Sequence, residues 1–239
     1  MKSVEEIIER ALSQGRKWLL EPEAKEICRQ FQIPVPEFGV AVSKEETINL
    51  ANKIGYPVVL KIISPQVIHK SDVGGVIIGL KSDAEIREAY DKIIERVRKK
   101  VPNAIIEGVL VEKMYPPDVE VIVGMTKDPQ FGPAIMFGLG GIFVEILKDV
   151  SFRIVPINEE DAREMIQEIK AYPILAGVRG REQRDIDAIV KIILRVSELV
   201  SRYEQINQLD LNPIFVYEKG RGAVAVDARI ILEEGSIRE

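Results

Sequence analysis

The stretch VVLKIISPQVIHKSDVGGVIIGL, residues 58–80, decides the fold that the sequence predicts. It contains two β-branched runs, 58–63 and 74–80, separated by a polar loop that begins with Ser-Pro and ends with two glycines. Such runs, bounded by Pro, Ser and Gly, are typical of strands joined by a turn. We therefore predict two strands joined by a glycine-rich loop that carries His69, the one histidine of the sequence.

The loop has a composition suited to binding a phosphate group. Backbone N–H groups exposed in a glycine-rich loop can cradle phosphate, and Lys61 or Lys70 can supply positive charge. The alternative is an ordinary hairpin loop with a solvated histidine, and composition alone favours that alternative. The loop by itself leaves both interpretations open.

Helix signals lie on both sides of this segment. Three capping boxes, in which a serine and a glutamate three residues later satisfy free backbone N–H groups, start at Ser3, Ser43 and Ser82. Pro22 fits the first turn of another helix that begins near Glu21. These signals and later amphipathic stretches predict helices over 3–14, 43–54, 82–100, 159–171 and 183–203.

Strand signals alternate with these helices and then dominate the middle of the chain. They cover 38–42, 105–114, 119–124, 134–137, 152–155 and a final hairpin of 209–217 with 223–231. Because the order is not a regular βαβ alternation, we predict an α+β protein of two subdomains rather than a doubly wound sheet. The predicted boundary near Pro102 divides the chain into 1–103 and 104–239.

Composition excludes several classes of protein. With 46% hydrophobic and 30% charged residues, the chain is neither intrinsically disordered nor a membrane bundle. The weakly polar stretch 131–144 is shorter than the roughly 20 apolar residues of a membrane span. The 33 basic and 38 acidic residues are spread along the chain, which argues against nucleic-acid binding. A single cysteine and a start without an apolar leader favour a reducing cytoplasm.

A second candidate feature is the end of the strand predicted over 105–114. It closes with Glu112-Lys113-Met114, is followed by the break Tyr-Pro-Pro-Asp, and resumes at Glu120. Carboxylate and backbone groups at such a strand end can contact an adenine and a ribose. The alternative is that these residues are only the polar end of a strand.

A third candidate feature lies in the final hairpin. Asn212, in Leu-Asp-Leu-Asn-Pro, precedes Asp227 by fifteen residues, and paired strands would bring the two side chains together. Mg²⁺ takes a few protein oxygens together with phosphate oxygens, so this pair suits a nucleotide-bound cation. The alternative is an Asn-Pro turn and a surface aspartate.

The order of these features, a phosphate loop, a purine-binding strand end and a metal pair, resembles that of the ATP-grasp superfamily. Over nearly the whole chain the sequence is similar to the β (ATP-binding) subunits of ADP-forming acetyl-CoA synthetases, relatives of succinyl-CoA synthetase. The segment His-Lys-Ser-Asp-Val-Gly-Gly, 69–75, is the most specific part of the resemblance. Similar segments are 61–75, Glu112 with Glu120, 138–145, 176–180 and 209–213. The resemblance implies an ATP-grasp fold of two α+β subdomains with the nucleotide between them.

The resemblance also implies a role for each matched residue. His69 matches the phosphohistidine of these β subunits, and Asp210 would lie by the metal and assist the phosphorylated loop. Asn212 and Asp227 would hold Mg²⁺, and Glu120 would lie near the ribose. The other implied contacts to ATP or ADP come from Lys61, Lys70, Ser71, Gly74, Gly75, Glu112 and the backbone of Met114.

The glycines of 138–141 and two arginines suggest a docking place for a partner's phosphohistidine. Gly140 and Gly141 allow close backbone approach, while Arg153 and Arg179 can neutralise an incoming phosphoryl group by bidentate contact. Glu145 belongs to the same matched segment. The alternative is a tight turn with arginines that are surface charges.

The resemblance implies a split enzyme. The CoA-binding and ligase domains would lie on an α subunit, in an α2β2 assembly, and the reaction would be acyl-CoA + ADP + Pi ⇌ carboxylate + CoA + ATP. A neutral imidazole, with an ordinary pKa of about 6.5, is a competent phosphoryl acceptor near neutral pH. Two other functions remain open: an ATP-grasp ligase that acts through a free acyl phosphate, and a non-catalytic nucleotide-binding regulatory subunit.

Overall fold

The computed structural model describes residues 2–141, 148–178, 180 and 182–233. In chain order its elements are α1 (Val4–Ser13), α2 (Glu21–Gln30), β1 (Phe38–Ala41), α3 (Lys44–Ile54), β2 (Val58–Ile63), a 3₁₀ turn (Ser71–Val73), β3 (Val76–Leu80), α4 (Asp83–Lys100), β4 (Gly108–Lys113), β5 (Val119–Asp128), β6 (Gly132–Leu139), β7 (Val150–Ile154), α5 (Glu159–Glu168), α6 (Tyr172–Ala176), α7 (Ile186–Arg202), β8 (Ile206–Val216), β9 (Ala223–Ala225) and β10 (Arg229–Leu232). The α+β class predicted from the sequence is confirmed. Within the described residues, no helix combines the length and apolarity that crossing a membrane requires.

The chain divides into two compact units. The small unit is Pro36–Pro116, and the large unit combines Met1–Val35 with Pro117–Glu239. This division differs from the predicted one at 103/104. Strand β4 lies beyond that boundary, yet it pairs with β1 and β2 of the small unit. The first helices, in turn, join the core of the large unit.

The small unit is an antiparallel sheet in the order β1-β4-β2-β3, with α3 and α4 packed on one face. Side chains alternate between the two faces of a strand, so Leu60 and Ile62 of β2 point to the helices together with Val109 and Val111 of β4. All four are almost fully buried. The residues between them, including Lys61, therefore lie on the opposite face.

The large unit is an antiparallel sheet in the order β10-β8-β5-β6-β7, and β9 also pairs with β8. One face, which includes Val121, Val123, Phe137 and Leu211, shares a core with helices from both ends of the chain. The segment between α1 and α2 runs along β10 through two backbone hydrogen bonds, Leu19 N–H to the Ile230 carbonyl and Leu232 N–H to the Lys17 carbonyl.

Three helices start as the capping signals predict, although only the first cap forms the full reciprocal box. Ser3 accepts from the Glu6 N–H, and Glu6 accepts from the Ser3 N–H. Ser43 and Ser82 also accept from the N–H three residues on. Their glutamates instead reach one residue further back, to the N–H groups of Val42 and Lys81.

The loop between β2 and β3 is fixed at its glycine end. Gly75 donates its N–H to the Lys70 carbonyl at 2.7 Å, and its own carbonyl accepts from the Ile62 N–H at 2.8 Å. A Cβ atom at position 75 would lie 2.6 Å from Ile62 Cγ2 and 3.0 Å from the Lys70 carbonyl oxygen. Gly74 takes a left-handed conformation, with φ +71°.

We expect Gly75→Ala to destabilise the small unit, because the added methyl group cannot fit between a strand side chain and a backbone oxygen. Overpacking of this kind costs about 1–3 kcal/mol of the free energy of unfolding, measured by denaturant titration. The control is Gly124→Ala in β5, where the nearest atom to an added Cβ is Met136 Cε at 3.4 Å. Equal stability of Gly75→Ala and the parent would contradict the loop geometry.

Candidate functional site

The small unit presents a buried ion pair on the sheet face away from its helices. Lys61 on β2 and Glu112 on β4 place Nζ and Oε1 3.0 Å apart. Their side chains are only 8% and 2% exposed. Burying both charges costs desolvation energy that their mutual attraction hardly recovers, so such a pair is weak evidence for stability and better evidence for a site.

The strand end that follows Glu112 is hydrogen-bonded to residues 55–57, the segment that leads from α3 into β2. The Lys113 ammonium donates to the carbonyls of Gly55 at 2.7 Å and Tyr56 at 3.1 Å. The Met114 N–H donates to the Pro57 carbonyl at 3.1 Å, so that donor is already used inside the protein. The ammonium contacts of Lys113 were not predicted, since sequence spacing gives no signal that a strand lysine will bind carbonyls at a helix end.

His69 lies on an exposed part of the loop between β2 and β3. The residues around it are anchored, while its ring makes no hydrogen bond to any residue that the structure describes. Gln66 accepts from the Ile105 N–H at 2.9 Å, and the Lys100 ammonium donates to the Asp72 carbonyl. Exposed Ser71 opens the 3₁₀ turn that leads to the glycines. The loop therefore presents the imidazole to solvent from a fixed base.

The large unit carries a separate group of polar residues on the sheet face opposite its core. Val121 and Val123 point into the core, so Glu120 of β5 lies on the other face. Asp210 of β8 faces Gly124 and lies on that same face. Gly140 packs directly on Glu120: its N–H donates to the Glu120 carbonyl at 2.7 Å, and a Cβ there would lie 2.9 Å from the Glu120 Cβ.

Asn212 of β8 and Asp227 face each other where the pairing partner of β8 changes from β9 to β10. Strand β8 pairs Ile214 with Ala225 of β9 and Asp210 with Arg229 of β10, and this common register puts Asn212 opposite Asp227. On its other edge β8 carries a bulge, because Ile214 faces Val121 but Leu211 faces Val123. Bulges bend a strand and re-aim side chains, and they are frequent next to active sites.

Asp210 is a carboxylate with an unsatisfied oxygen. Its Oδ1 is buried and has no hydrogen-bond partner among the residues described, while Oδ2 lies 3.5 Å from the Arg229 guanidinium. Burial raises the pKa of Asp210, and the nearby Arg229 offsets only part of that rise. Arg229 was not predicted from the sequence. The signal was available, because a hairpin that pairs Asn212 with Asp227 also pairs Asp210 with Arg229 two residues further on.

The donor set suits a hard cation that brings ligands of its own. Among the described residues, no three His, Cys, Asp or Glu side chains lie close enough together to hold a metal ion by themselves. Asn212, Asp227 and the unsatisfied Asp210 oxygen offer carboxylate and amide oxygens at one place on the sheet. Mg²⁺ prefers this kind of incomplete oxygen set, completed by waters and substrate phosphates.

Among the predicted docking residues that the structure describes, Arg153 does not lie with Gly140. Arg153 of β7 faces Ile135, a core residue, and therefore lies on the helix-covered face rather than with Glu120. Its guanidinium binds Glu168 at 2.8 Å and Glu164 at 3.4 Å on α5. These carboxylates raise the pKa of Arg153 and satisfy its charge. Gly141 is exposed at the end of β6, with φ +63°. Glu145 and Arg179 lie outside the described residues.

Comparison with known proteins identifies the family of the chain. A family model described as an ATP-grasp domain matches residues 10–232. The β subunit of acetate–CoA ligase (ADP-forming) I of Pyrococcus furiosus is 58% identical over 95% of this chain and 97% of its own length. Acetate–CoA ligase (ADP-forming) I of Archaeoglobus fulgidus is 47% identical over 98% of this chain, which spans 33% of that longer protein.

Solved structures of dinucleotide-forming acetyl-coenzyme A synthetase 1 from Ca. Korarchaeum cryptofilum show the same fold. One, with coenzyme A, Ca-AMPCP and HgCl⁺, superposes with a TM-score of 0.93 and 52% identity over 97% of this chain and 100% of the matched chain. Another, with coenzyme A and Mg-AMPPCP and a phosphohistidine segment pointing towards the nucleotide-binding site, gives 0.85 and 48% over the same shares of the two chains. The chain belongs to the ATP-grasp family and, within it, to the β subunits of ADP-forming acetyl-CoA synthetases.

We expect Asp210→Asn to make the protein more stable at neutral pH. A raised pKa means that the folded protein favours the neutral carboxyl, so the parent loses stability as the pH rises through that pKa. The difference in the free energy of unfolding between Asp210→Asn and the parent should increase as the pH rises above 3.8, the ordinary pKa of an aspartate. Unfolding titrations at several pH values measure it.

Asp128→Asn is the control with the opposite sign. The N–H groups of Phe131 and Gln130 lower the pKa of Asp128, so its carboxylate contributes stability above the ordinary pKa that is lost as the pH falls. Asp128→Asn should therefore be less stable than the parent at neutral pH. If Asp210→Asn loses as much stability as Asp128→Asn, burial does not disfavour the ionised form of Asp210, and the expected raised pKa is wrong.

Proposed function

We propose that this chain binds the nucleotide in an ADP-forming acetyl-CoA synthetase and relays a phosphoryl group through His69. The net reaction is acetyl-CoA + ADP + Pi ⇌ acetate + CoA + ATP. The observation that carries the proposal is the exposed imidazole on an anchored loop that leaves the strand of the buried Lys61–Glu112 pair. The Pyrococcus furiosus and Archaeoglobus fulgidus relatives named for this ligase activity support it.

In the small unit, Lys61 and Glu112 bind neighbouring parts of one nucleotide. Glu112 accepts a hydrogen bond from the adenine amino group. Lys61, whose Nζ lies 3.0 Å from Glu112, then neutralises the phosphate nearest the base. Since the Met114 N–H is donated to Pro57, the backbone contact from Met114 to adenine uses its carbonyl. Lys70 and Ser71 of the loop bind the outer phosphates. The N–H groups of Gly74 and Gly75 are donated to the carbonyls of Ser71 and Lys70, so these glycines shape the loop rather than bind phosphate.

In the large unit, Asn212 and Asp227 bind Mg²⁺ that accompanies the nucleotide, and Glu120 contacts the ribose. Mg²⁺ held by these residues would supply the charge neutralisation that phosphoryl transfer requires. Asp210, whose buried Oδ1 has no hydrogen-bond partner among the described residues, lies two residues before Asn212 on β8 and would assist the metal site. A solved relative that holds Mg-AMPPCP supports a magnesium nucleotide in this family.

His69 carries the phosphoryl group in two balanced steps. Its neutral nitrogen attacks the phosphorus of the partner's phosphohistidine, so one P–N bond forms as the other breaks. A terminal ADP oxygen then attacks the phosphorus on His69, which forms ATP and frees the imidazole. Transfer of this kind depends mainly on positioning and charge neutralisation, which the anchored loop and Lys61 provide.

The partner is an α subunit with the CoA-binding and ligase domains. The Archaeoglobus fulgidus relative is about three times as long as this chain, which fits a fused form of the same two parts. We propose an α2β2 complex in the cytoplasm, where CoA and nucleotides are available. The partner's phosphohistidine docks at Gly140, which packs on Glu120, and at the exposed Gly141. Glu145 and Arg179 complete this proposed docking place. Arg153, bound to α5, takes no part.

We expect γ-labelled ATP with Mg²⁺ to transfer label to this chain. The label should be lost in acid and kept in alkali, as a phosphoramidate is, and should be absent from His69→Ala. The control Ile68→Ala removes an exposed neighbour in the same loop and should be labelled like the parent. With the partner present, turnover of acetyl-CoA by His69→Ala at the parental rate would end the relay model. An ATP-grasp ligase that uses a free acyl phosphate, or a regulatory subunit, would give no label.

We expect the purified chain to bind ATP yet to make no ATP from acetyl-CoA, ADP and phosphate, because the CoA-binding and ligase domains are proposed to lie on the α subunit. Addition of the α subunit should restore ATP synthesis, followed by coupled assay, and the two chains should co-elute on size exclusion. A free-standing ligase would instead show full activity from this chain alone, which contradicts the split enzyme.

A further inference from the structure

Helix α2 of the large unit contains a buried ion pair with no evident role in packing. The Lys25 ammonium lies 2.9 Å from the Glu21 carboxylate one turn earlier. The side chains are 0% and 4% exposed, so both charges have left water. A buried pair of this kind is often no more stabilising than apolar residues of the same size, so stability alone does not explain it.

The same ammonium reaches across the chain to the final hairpin. Lys25 Nζ donates to the Val226 carbonyl at 3.0 Å. Val226 directly precedes Asp227, and the carbonyl that Lys25 holds belongs to the peptide group that joins the two residues. Because a peptide group is planar, holding this carbonyl fixes the orientation of the Asp227 N–H and limits the backbone torsions on both sides.

Two further hydrogen bonds fix the chain just before Asp227. The Ala225 N–H donates to the Pro34 carbonyl at 2.8 Å, and the Val226 N–H donates to the Pro213 carbonyl at 3.1 Å. Pro213 follows Asn212, so the second bond ties the two facing strands together beside the proposed metal pair. The peptide between Val226 and Asp227 is thereby held from α2. The peptide between Ala225 and Val226 is held from β8, and the one between Val224 and Ala225 from the segment after α2.

We propose that Lys25, oriented by Glu21, is a positioning residue for the metal site, and that it holds Asp227 where it binds the nucleotide's Mg²⁺. This inference rests on the proposed function. The lysine touches neither nucleotide nor metal in this arrangement. It acts through the Val226–Asp227 peptide, as groups behind metal ligands commonly do, and loss of such a group typically weakens metal binding about 10–100-fold.

The test measures ADP binding to the full chain by calorimetry over a range of Mg²⁺ concentrations. Lys25→Met keeps the buried aliphatic stem and removes the ammonium. It should raise the half-saturating Mg²⁺ concentration about tenfold. Its affinity for ADP without Mg²⁺ should stay at the parental value, because Lys61 and Glu112 are untouched. Glu21→Gln keeps a hydrogen-bond acceptor for Lys25 and should shift the Mg²⁺ requirement in the same direction by less.

Arg16→Met is the matched control. The Arg16 side chain is 7% exposed and binds Glu23 at 2.8 Å, and its other hydrogen bonds go to Gln14 and Trp18. Arg16→Met therefore removes a buried cation from the same N-terminal segment, and the hydrogen bonds that it removes stay within residues 14–23 and do not reach Val226. Its melting temperature should fall, but its Mg²⁺ dependence should stay parental.

Three results would overturn the inference. One is a folded Lys25→Met with the parental Mg²⁺ dependence, and another is an equal shift in Arg16→Met, which would make the effect one of general stability. The third applies if Lys25→Met does not fold: a parental Mg²⁺ requirement in Glu21→Gln would then overturn the inference. A parent that binds ADP without any response to Mg²⁺ is a different outcome, since it refutes the metal assignment in the proposed function itself.

Discussion

The register of β8 is the constraint on which the rest of the large unit depends. One edge of this strand pairs with β5, and the other pairs with β9 and β10 in one register from Gln208 to Val216. A shift of one residue would send every β8 side chain to the opposite face. Leu209 and Leu211 would leave the core, Asp210 would enter it, and Asn212 would no longer face Asp227. The hydrophobic face of β8 therefore fixes the polar site as well as the fold.

Local signals predicted most elements, whereas long-range pairing decided the domains. Serine caps and amphipathic periodicity located α1, α3 and α4, because those signals act within a few residues. The division at 103/104 failed since β4 returns to a sheet begun at residue 38, and α1 and α2 pack on strands far along the chain. The predicted helix over 159–171 also ends early, and α6 begins after Ile169 takes an extended conformation.

The candidate site was predictable where strand alternation sets it and unpredictable where tertiary contacts do. The facing of Asn212 and Asp227 follows from a hairpin register that the sequence already indicates. The placement of Lys61 next to Glu112 depends instead on the pairing of β2 with β4, two strands that the predicted boundary at 103/104 had separated. The roles implied by the resemblance to acetyl-CoA synthetase β subunits remain predictions. The partners of Arg153 on α5 and the reach of Lys25 to Val226 depend on packing between distant segments, for which sequence spacing gives no signal.

The central claim is that Lys61 binds the nucleotide and that Asp227 binds the Mg²⁺ that accompanies it, and ADP affinity with and without Mg²⁺ tests it most directly. Lys61→Met should weaken ADP binding under both conditions, because in the proposed function the Lys61 ammonium contacts the nucleotide itself. Asp227→Asn should abolish only the gain in affinity that Mg²⁺ gives. The account is contradicted if Asp227→Asn weakens binding equally in the absence of Mg²⁺, or if Lys61→Met binds ADP as tightly as the parent.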